Sequence, residues 1–418
     1  MSEYDEPASS GSDALLSNEA TTTVMTDSGT QFDRFSRESQ PGASQGTANI
    51  ARSAPQGASV ITTGMNTASI TNGFDIIEEP LDTGIEAVLY ALNETRRHAT
   101  ERPRLEWLYR DNPDGPATVW VAYDTRTRSI AGAAAVLPRR LVVHGTQVRC
   151  WNCSDLSVLE PYRRRGIASA LRQQARLAIE AGRADILYGH PNNRAANAHA
   201  RVGHWPVGMM RRVAKVISSR PILEELLPRF AAVPLAWLGD WVLRFADRNI
   251  VAQDRYTTVH QSDSDFDDRF DRLFDRESRR YPIISVRDAL YLNWRYGTNP
   301  LYRSNVVLAL RDDELAGFLV YTIQDGTAHI KDIFPGHDEQ LTSALLAELI
   351  REARLAGLRS LSFTAMEQNP ALARCRKIGF RPRQESSRMF AFVPETSPYR
   401  VVARNEASWY VTVGDRDV

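Results

Sequence analysis

The chain has 418 residues, long for one core, and is 43% hydrophobic and 24% charged, so it is expected to be mostly globular with more than one domain. Basic and acidic residues number 51 each. That balance excludes a polyelectrolyte partner as the main function, because non-specific nucleic-acid binding needs a positive excess.

Residues 1 to about 73 are rich in Ser, Thr, Gly, Ala and Gln, with Tyr4, Phe32 and Phe35 as their only aromatics. They offer too little apolar area to offset ordering entropy and are expected to form a disordered tail. The start of the chain is acidic and polar, without the basic and apolar blocks of a secretory leader. With three cysteines, Cys150, Cys153 and Cys375, this points to a reducing compartment and a cytoplasmic protein. No window approaches ~18 uninterrupted apolar residues, so no membrane span or membrane partner is expected.

From Phe74 the texture becomes mixed β and α. Gly84 to His98 has helical periodicity. Thr118 to Tyr123 and Ile130 to Val136 read as strands, and Arg139 to Val143 with Gln147 to Val158 as a hairpin around His144-Gly145. Gly166 to Ala181 is an amphipathic helix, with Leu171, Ala175 and Ala178 in one stripe and Gly182 as its stop. A short buried strand (184–189), a short helix (195–202) and the strand Val207 to Ile217 follow. A helical connection spans 221–255, within which Val233 to Phe245 reads as a buried helix or linker.

The sequence then repeats itself. Trp107-x-Tyr109-x-x-Asn112-Pro113 recurs as Trp294-x-Tyr296-x-x-Asn299-Pro300. Ala131-Gly132 is answered by Ala316-Gly317, and the helix ending at Gly203 by Gly379-Phe380. Three matches in the same order at nearly constant spacing predict a duplicated domain.

The chemistry concentrates at Asp155-Leu-Ser-Val158 and the Arg163-Arg-Arg-Gly166-Ile-Ala168 turn after it. A strand that ends in a small-residue, arginine-rich turn opening a helix offers free N–H groups and a positive dipole end to a pyrophosphate. Gly166 lets the backbone approach the ligand without a Cβ, and Ala168 keeps the first helical turn narrow. The Gly-Lys-Ser/Thr of a Walker loop and the Gly-x-Gly of a dinucleotide fingerprint are both missing. A second element, Asn192 to Trp205, reads as loop, helix and glycine stop at Gly203.

Together these segments resemble motifs A and B of the GNAT acyl-CoA N-acyltransferase superfamily. Arg163, Gly166 and Ala168 match the three signature positions of motif A; Asn192, Ala195 and Gly203 match motif B in spacing. The resemblance spans about residues 75 to 217 and, in a diverged copy, about 260 to 395. It implies an α+β fold with a mixed sheet, built as two tandem GNAT-like domains: tail 1–73, catalytic domain 74–220, helical connection 221–255 and second domain 256–418.

The resemblance further implies N-acetyl transfer from acetyl-CoA, as acyl-donor substrate, to a small-molecule or peptide amine. The pantetheine arm would lie along Leu156, Ser157 and Val158. The pyrophosphate would meet the N–H groups of Arg164, Arg165, Gly166, Ile167, Ala168 and Ser169, with Arg163 and Asn192 beside it. The family's usual acid is a Tyr four residues before the motif B glycine; here that position is His199, an expected replacement. Asp155 is the expected base. No metal is expected: Cys150-x-x-Cys153 lies in a strand, where residues three apart face opposite ways, and His190 and His204 lack ligand spacing with an acidic residue. A non-catalytic acyl-CoA-binding or scaffolding protein is the alternative.

In the second copy the equivalent turn is Lys331-Asp-Ile-Phe-Pro-Gly-His-Asp338-Glu339, without Arg-x-x-Gly-x-Ala, and Cys375 stands four before Gly379. Asp338 and Glu339 would satisfy the helix start themselves and repel a phosphate, so this copy is expected not to bind acyl-CoA.

Overall fold

The structure, a computed structural model, describes residues 69–71, 73–247, 256–261 and 265–417. The expected disordered tail lies outside the described residues except at its end. There Ser69–Thr71 forms an edge strand, because its backbone pairs antiparallel with the next strand.

In chain order the first half runs β1 (Ser69–Thr71), β2 (Phe74–Glu79), α1 (Leu81–Asn93), α2 (Arg102–Tyr109), β3 (Thr118–Asp124), β4 (Ile130–Val143), β5 (Thr146–Val158), α3 (Ile167–Glu180), β6 (Ile186–Gly189), α4 (Asn193–Arg201) and β7 (Trp205–Val216). A helical hairpin follows, α5 (Arg220–Leu226) and α6 (Arg229–Asp247). The second half holds β8 (Thr257–Gln261), α7 (Asp268–Glu277), β9 (Ile283–Ser285), α8 (Ala289–Leu292), β10 (Asn305–Arg311), β11 (Glu314–Gln324), β12 (Thr327–Phe334) and α9 (Glu339–Leu355). It closes with β13 (Ser360–Met366), α10 (Pro370–Lys377), β14 (Arg381–Phe392), α11 (Arg400–Arg404) and β15 (Trp409–Tyr410).

Both halves share one mixed sheet, in the order β1-β2-β3-β4-β5-β6-β14-β7-β13-β12-β11-β10-β8. The last strands are exchanged. β7, from the first half, pairs with β13 of the second, and β14 of the second half pairs with β6 of the first. Pairing is antiparallel except at β5–β6, β12–β13 and β9–β15. The two longer parallel contacts fall at corresponding places in the halves, as the sequence repeat predicts.

The expected break between Val136 and Arg139 does not occur; β4 is one continuous strand of 14 residues. Pro138 is tolerated because β3 pairs only with residues up to Val136 and β9 only from Leu141, so neither asks for its missing N–H.

One apolar cluster crosses the boundary between halves, joining Leu92, Leu105 and Trp107 to Phe270, Trp294 and Phe318. On the opposite face α3 buries Ile167, Leu171 and Ala175 against Trp120, Trp151 and Leu187, and α9 buries Leu345, Leu346 and Leu349 in the second half. These stripes follow the 3.6-residue period read from the sequence. Gly182 and Gly203 end α3 and α4 with φ of 81° and 80°, the left-handed conformation glycine adopts without a Cβ penalty.

Val233 to Phe245, expected to be a buried helix or a linker, is a helix that is not buried. It lies in α6, and most of its large side chains face outward, while Ala236 is buried and Asp240 and Leu243 are half-buried toward the protein. No helix among the described residues is long and apolar enough to cross a membrane.

Candidate acyl-CoA site

β5 and β6 pair in parallel only from Cys150–Ile186 to Cys153–Gly189, then part. Just beyond, β5 bulges. Ser154 pairs with Ala135 and Ser157 with Ala133, leaving Asp155 and Leu156 opposite the single residue Ala134. Asp155 carries the turn with φ of 43°. Leu156, Ser157 and Val158 therefore run along an open cleft, and a Cβ at Gly132 would stand 2.7 Å from the Ser157 carbonyl. Only glycine lets β4 come this close to the bulge.

The cleft opens into two adjoining cavities. One, of about 790 Å³, is lined by Leu156, Ser157, Val158, Arg163 to Arg165, Ala168 and Asn192. Gly166, Ile167 and Ser169 line a smaller recess of about 260 Å³ at the same turn. Arg164 and Gly166 have φ of 65° and 87°, which folds the turn back on itself. α3 has no side-chain cap, so the N–H groups of its first turn stay open to an anion. Asn192, by contrast, spends its Oδ1 capping α4, accepting from the Arg194 and Ala195 N–H groups at 3.1 and 2.9 Å.

The other cavity, of about 510 Å³, lies at the bulge and is lined by Arg96, Arg104, Asp155, His190, His199, Arg416 and Asp417, among others. Asp155 is fully enclosed. Arg104 donates to both its oxygens at 3.0 and 3.3 Å, Arg96 at 2.9 Å and the Tyr109 hydroxyl at 3.0 Å. Burial opposes its ionisation, yet Arg104 and Arg96 hold its carboxyl below the usual carboxylate range. The expected base is thus a charged anchor already committed to two arginines.

His199 is buried, with its Nδ1 2.9 Å from the Nδ1 of His204. Burial, then Arg172 and His204, push its pKa well below the ordinary imidazole value. Burial and Arg172 take His204 to about 3, and burial with Arg416 takes His190 to about 3. All three rings are neutral at neutral pH. The His190 ring nitrogens are buried without a hydrogen-bond partner.

Sequence reasoning missed the closing segment of this cavity. Ser154 donates to the Asp417 carboxylate at 2.9 Å, and Arg104 donates to the Asp417 carbonyl at 3.2 Å. Residues 409–415 bring it there. Asn152 and the Tyr188 hydroxyl donate to the Asp415 carbonyl at 3.4 and 2.8 Å, and Arg287 pairs with the Asp415 carboxylate at 2.8 Å.

The same segment fills the corresponding cleft of the second half. β12 and β13 pair from Thr327–Ser360 to Ile330–Phe363 and then part. In the gap Thr412 bridges Ala365 and donates to Asp332 at 3.1 Å, the Met366 N–H donates to the Val411 carbonyl at 3.1 Å, and the Tyr410 hydroxyl donates to the Ile333 carbonyl. Asp338 caps α9, accepting from the Gln340 and Leu341 N–H groups at 2.9 Å. Glu339 pairs with Lys377 at 2.6 Å and Arg374 at 3.5 Å. Cys375 is buried, and burial pushes its thiol pKa up.

Family models match both halves: the Acetyltransferase (GNAT) domain at residues 77–202 and the Acetyltransferase (GNAT) family at residues 266–380. The chain is a tandem member of the GNAT superfamily, with a diverged second copy. Solved GNAT-like structures share the fold. A GCN5-related N-acetyltransferase from Anabaena variabilis matches at TM-score 0.55 and 12% identity, over 77% of this chain and 72% of that one. A probable N-acyltransferase from Enterococcus faecalis matches at 0.53 and 13%, with the same coverages. Saccharomyces cerevisiae N-myristoyltransferase, solved with myristoyl-CoA, matches at 0.50 and 14%, over 79% and 81%. No protein of curated function matches the sequence. Among the described residues no cluster of His, Cys, Asp and Glu could hold a metal ion. Cys150 and Cys153 are buried free thiols.

Proposed function

We propose that this GNAT protein is an acyl-CoA-dependent N-acyltransferase that moves an acetyl group from acetyl-CoA to an amine, using the cleft of its first half. The observation that carries the reading is the parting of β5 from β6 at the Asp155 bulge, directly above an uncapped, arginine-lined helix start. The arm would add along Leu156 to Val158, and the pyrophosphate would meet the Arg164 to Ser169 N–H groups, flanked by Arg163 and the Asn192 cap. Acetyl is favoured over a long acyl chain by the lining of the adjoining cavity, where arginines, Asp155, Asp417 and histidines leave little apolar surface for a hydrocarbon.

The amine nitrogen attacks the thioester carbon, and backbone N–H groups at the bulge steady the developing oxyanion. The C–S bond then breaks and the thiolate leaves. Asp417, held by Ser154 on the cavity wall, takes the amine proton. Asp155 fixes Arg96 and Arg104 around it and is a positioning residue. His199 is neutral, so it serves as an N–H hydrogen-bond donor toward the sulfur rather than as an imidazolium acid, and the thiolate draws its proton from solvent. The second half binds no acyl-CoA and supports the first.

The test is release of free thiol from acetyl-CoA across a panel of amines, beside calorimetric binding. Turnover that falls in Asp417→Asn with acetyl-CoA affinity retained supports the reading. One observation favours a non-catalytic binding protein instead: His199 and Asp155 are both committed to internal partners. Binding without thiol release on any amine would establish that alternative.

A further inference from the structure

The α5–α6 hairpin turns its large apolar side chains outward. Phe230 is 84% exposed, Trp237 75% and Leu226 73%; Leu238, Trp241 and Phe245 are about half exposed. The inward side is made mostly of small and acidic residues, with Leu243 half-buried: Ala232 and Ala236 are buried, and a Cβ on Gly239 would stand 2.6 Å from the Ser219 hydroxyl. This reverses the usual amphipathic pattern, in which large residues face the core.

The hairpin is held in a fixed orientation. Asp240 accepts from the Ser219 N–H at 2.6 Å and its hydroxyl at 2.9 Å. Asp247 pairs with Lys215 at 2.8 Å and with Arg354 at 2.5 Å. The outward face therefore belongs to a docked element and not to a free arm.

We propose that this face is where a second copy of the chain docks, making the protein a homodimer in which α6 packs antiparallel on α6. Three observations point to a copy. Aromatic side chains offer roughly 150–250 Å² each, so the four on α6 present on the order of 500 Å² at their exposures. With the neighbouring aliphatics the patch reaches on the order of 900 Å². A stable interface buries about 800 Å² per partner, and monomers rarely expose more than a few hundred contiguous apolar Å².

The second observation is order. The aromatics run Phe230, Trp237, Trp241, Phe245, the same order read from either end but with uneven spacing of seven, four and four residues. A twofold axis at Leu238 brings Phe230 within one residue of the other copy's Phe245 and Trp237 within two of its Trp241, so like side chains come near one another across a self-complementary contact. The third is charge. A helix seated on lipid needs free basic groups beside its apolar face. Here Arg220 is paired with Glu224, Arg351 with Glu348 and Glu352, and Arg354 with Asp247, which leaves the exposed Arg244 on α6 in place of a basic row.

The full chain is examined by light scattering after gel filtration, at tens of micromolar. The expected mass is twice the 46.9 kDa of one chain, and Trp237→Glu with Trp241→Glu is expected to weaken the dimer at least 100-fold while acetyl-CoA affinity stays unchanged. Leu238→Cys provides an independent readout: the three native cysteines are buried, so oxidation should give a cross-linked dimer through residue 238. A monomeric wild-type chain, a dimer unaffected by the double substitution, or no cross-link at 238 would each overturn the proposal. So would flotation of a monomeric wild-type chain with phosphatidylglycerol-containing vesicles, which would assign the face to lipid.

Discussion

Trp107 and Trp294 hold each other reciprocally. Each indole N–H donates to the other's carbonyl at 3.0 Å, and the rings stack with centroids 4.9 Å apart. The pair joins the two copies of the Trp-x-Tyr-x-x-Asn-Pro repeat at a local twofold, so the duplicated motif is also the contact between the duplicates.

Because both indoles are buried, Trp107→Ala should destabilise the protein by about 3–5 kcal/mol through lost packing and an orphaned partner. Trp294→Ala should cost a similar amount. The double variant should cost clearly less than the sum, since either change removes the same contact. Urea unfolding of the three variants measures this.

Gly166 sits at φ 87° with nothing within 4 Å of where a Cβ would lie. Gly166→Val should therefore cost the fold only about 1–2 kcal/mol of backbone strain while obstructing the pyrophosphate position. Calorimetry should show acetyl-CoA affinity falling at least roughly tenfold, with circular dichroism preserved.

The same calorimetry should give one acetyl-CoA per chain. Residues 409–415 occupy the cleft between β12 and β13, and Asp338 already caps α9. Two equivalent sites would contradict this.

Asp155→Asn and Asp417→Asn should separate two roles. The first leaves the buried Arg104 without its counter-charge and should destabilise by about 3–5 kcal/mol. The second keeps an oxygen for Ser154 and should leave stability nearly intact while lowering kcat by about 10²–10⁴. A thermal melt beside a turnover assay distinguishes them.

Acid should destabilise the protein steeply. His190, His199 and His204 stay neutral in the fold, with His190 and His204 at about 3, while unfolded histidines titrate near 6.5. Between those values the unfolded chain binds more protons, so stability is complete above about pH 6.5 and falls as pH drops, by up to about 1.4 kcal/mol per pH unit per histidine. His204→Phe should flatten the slope between pH 6 and pH 4 in denaturant titrations.

What was legible in the sequence was local. Leu156 to Ser169 forms a strand, turn and helix within a few residues, and each step carries its own signal: β-rich residues, Gly166, then a helical apolar stripe. The Trp-x-Tyr repeat exposed the duplication for the same reason. The long-range parts carried no local signal. Ser154 and Asp417 are 263 residues apart, and nothing near either one announces the other. The fate of Asp155 was hidden because its partners, Arg96, Arg104 and Tyr109, lie on or beside α2. Val233 to Phe245 left the choice between buried helix and linker open, because its apolar residues outnumber the few positions, Ala236 among them, that the fold buries.

The exchange of β7 and β14 bears on the order in which the protein is made. β6 pairs with β5 just below the Asp155 bulge but takes its outer neighbour from residues 390–392. A nascent chain that has emerged only through β7 has all of motifs A and B and still leaves β6 as a raw edge, able to recruit a strand from another chain. The first half thus completes itself late in synthesis, and its hazard until then is mispairing at β6.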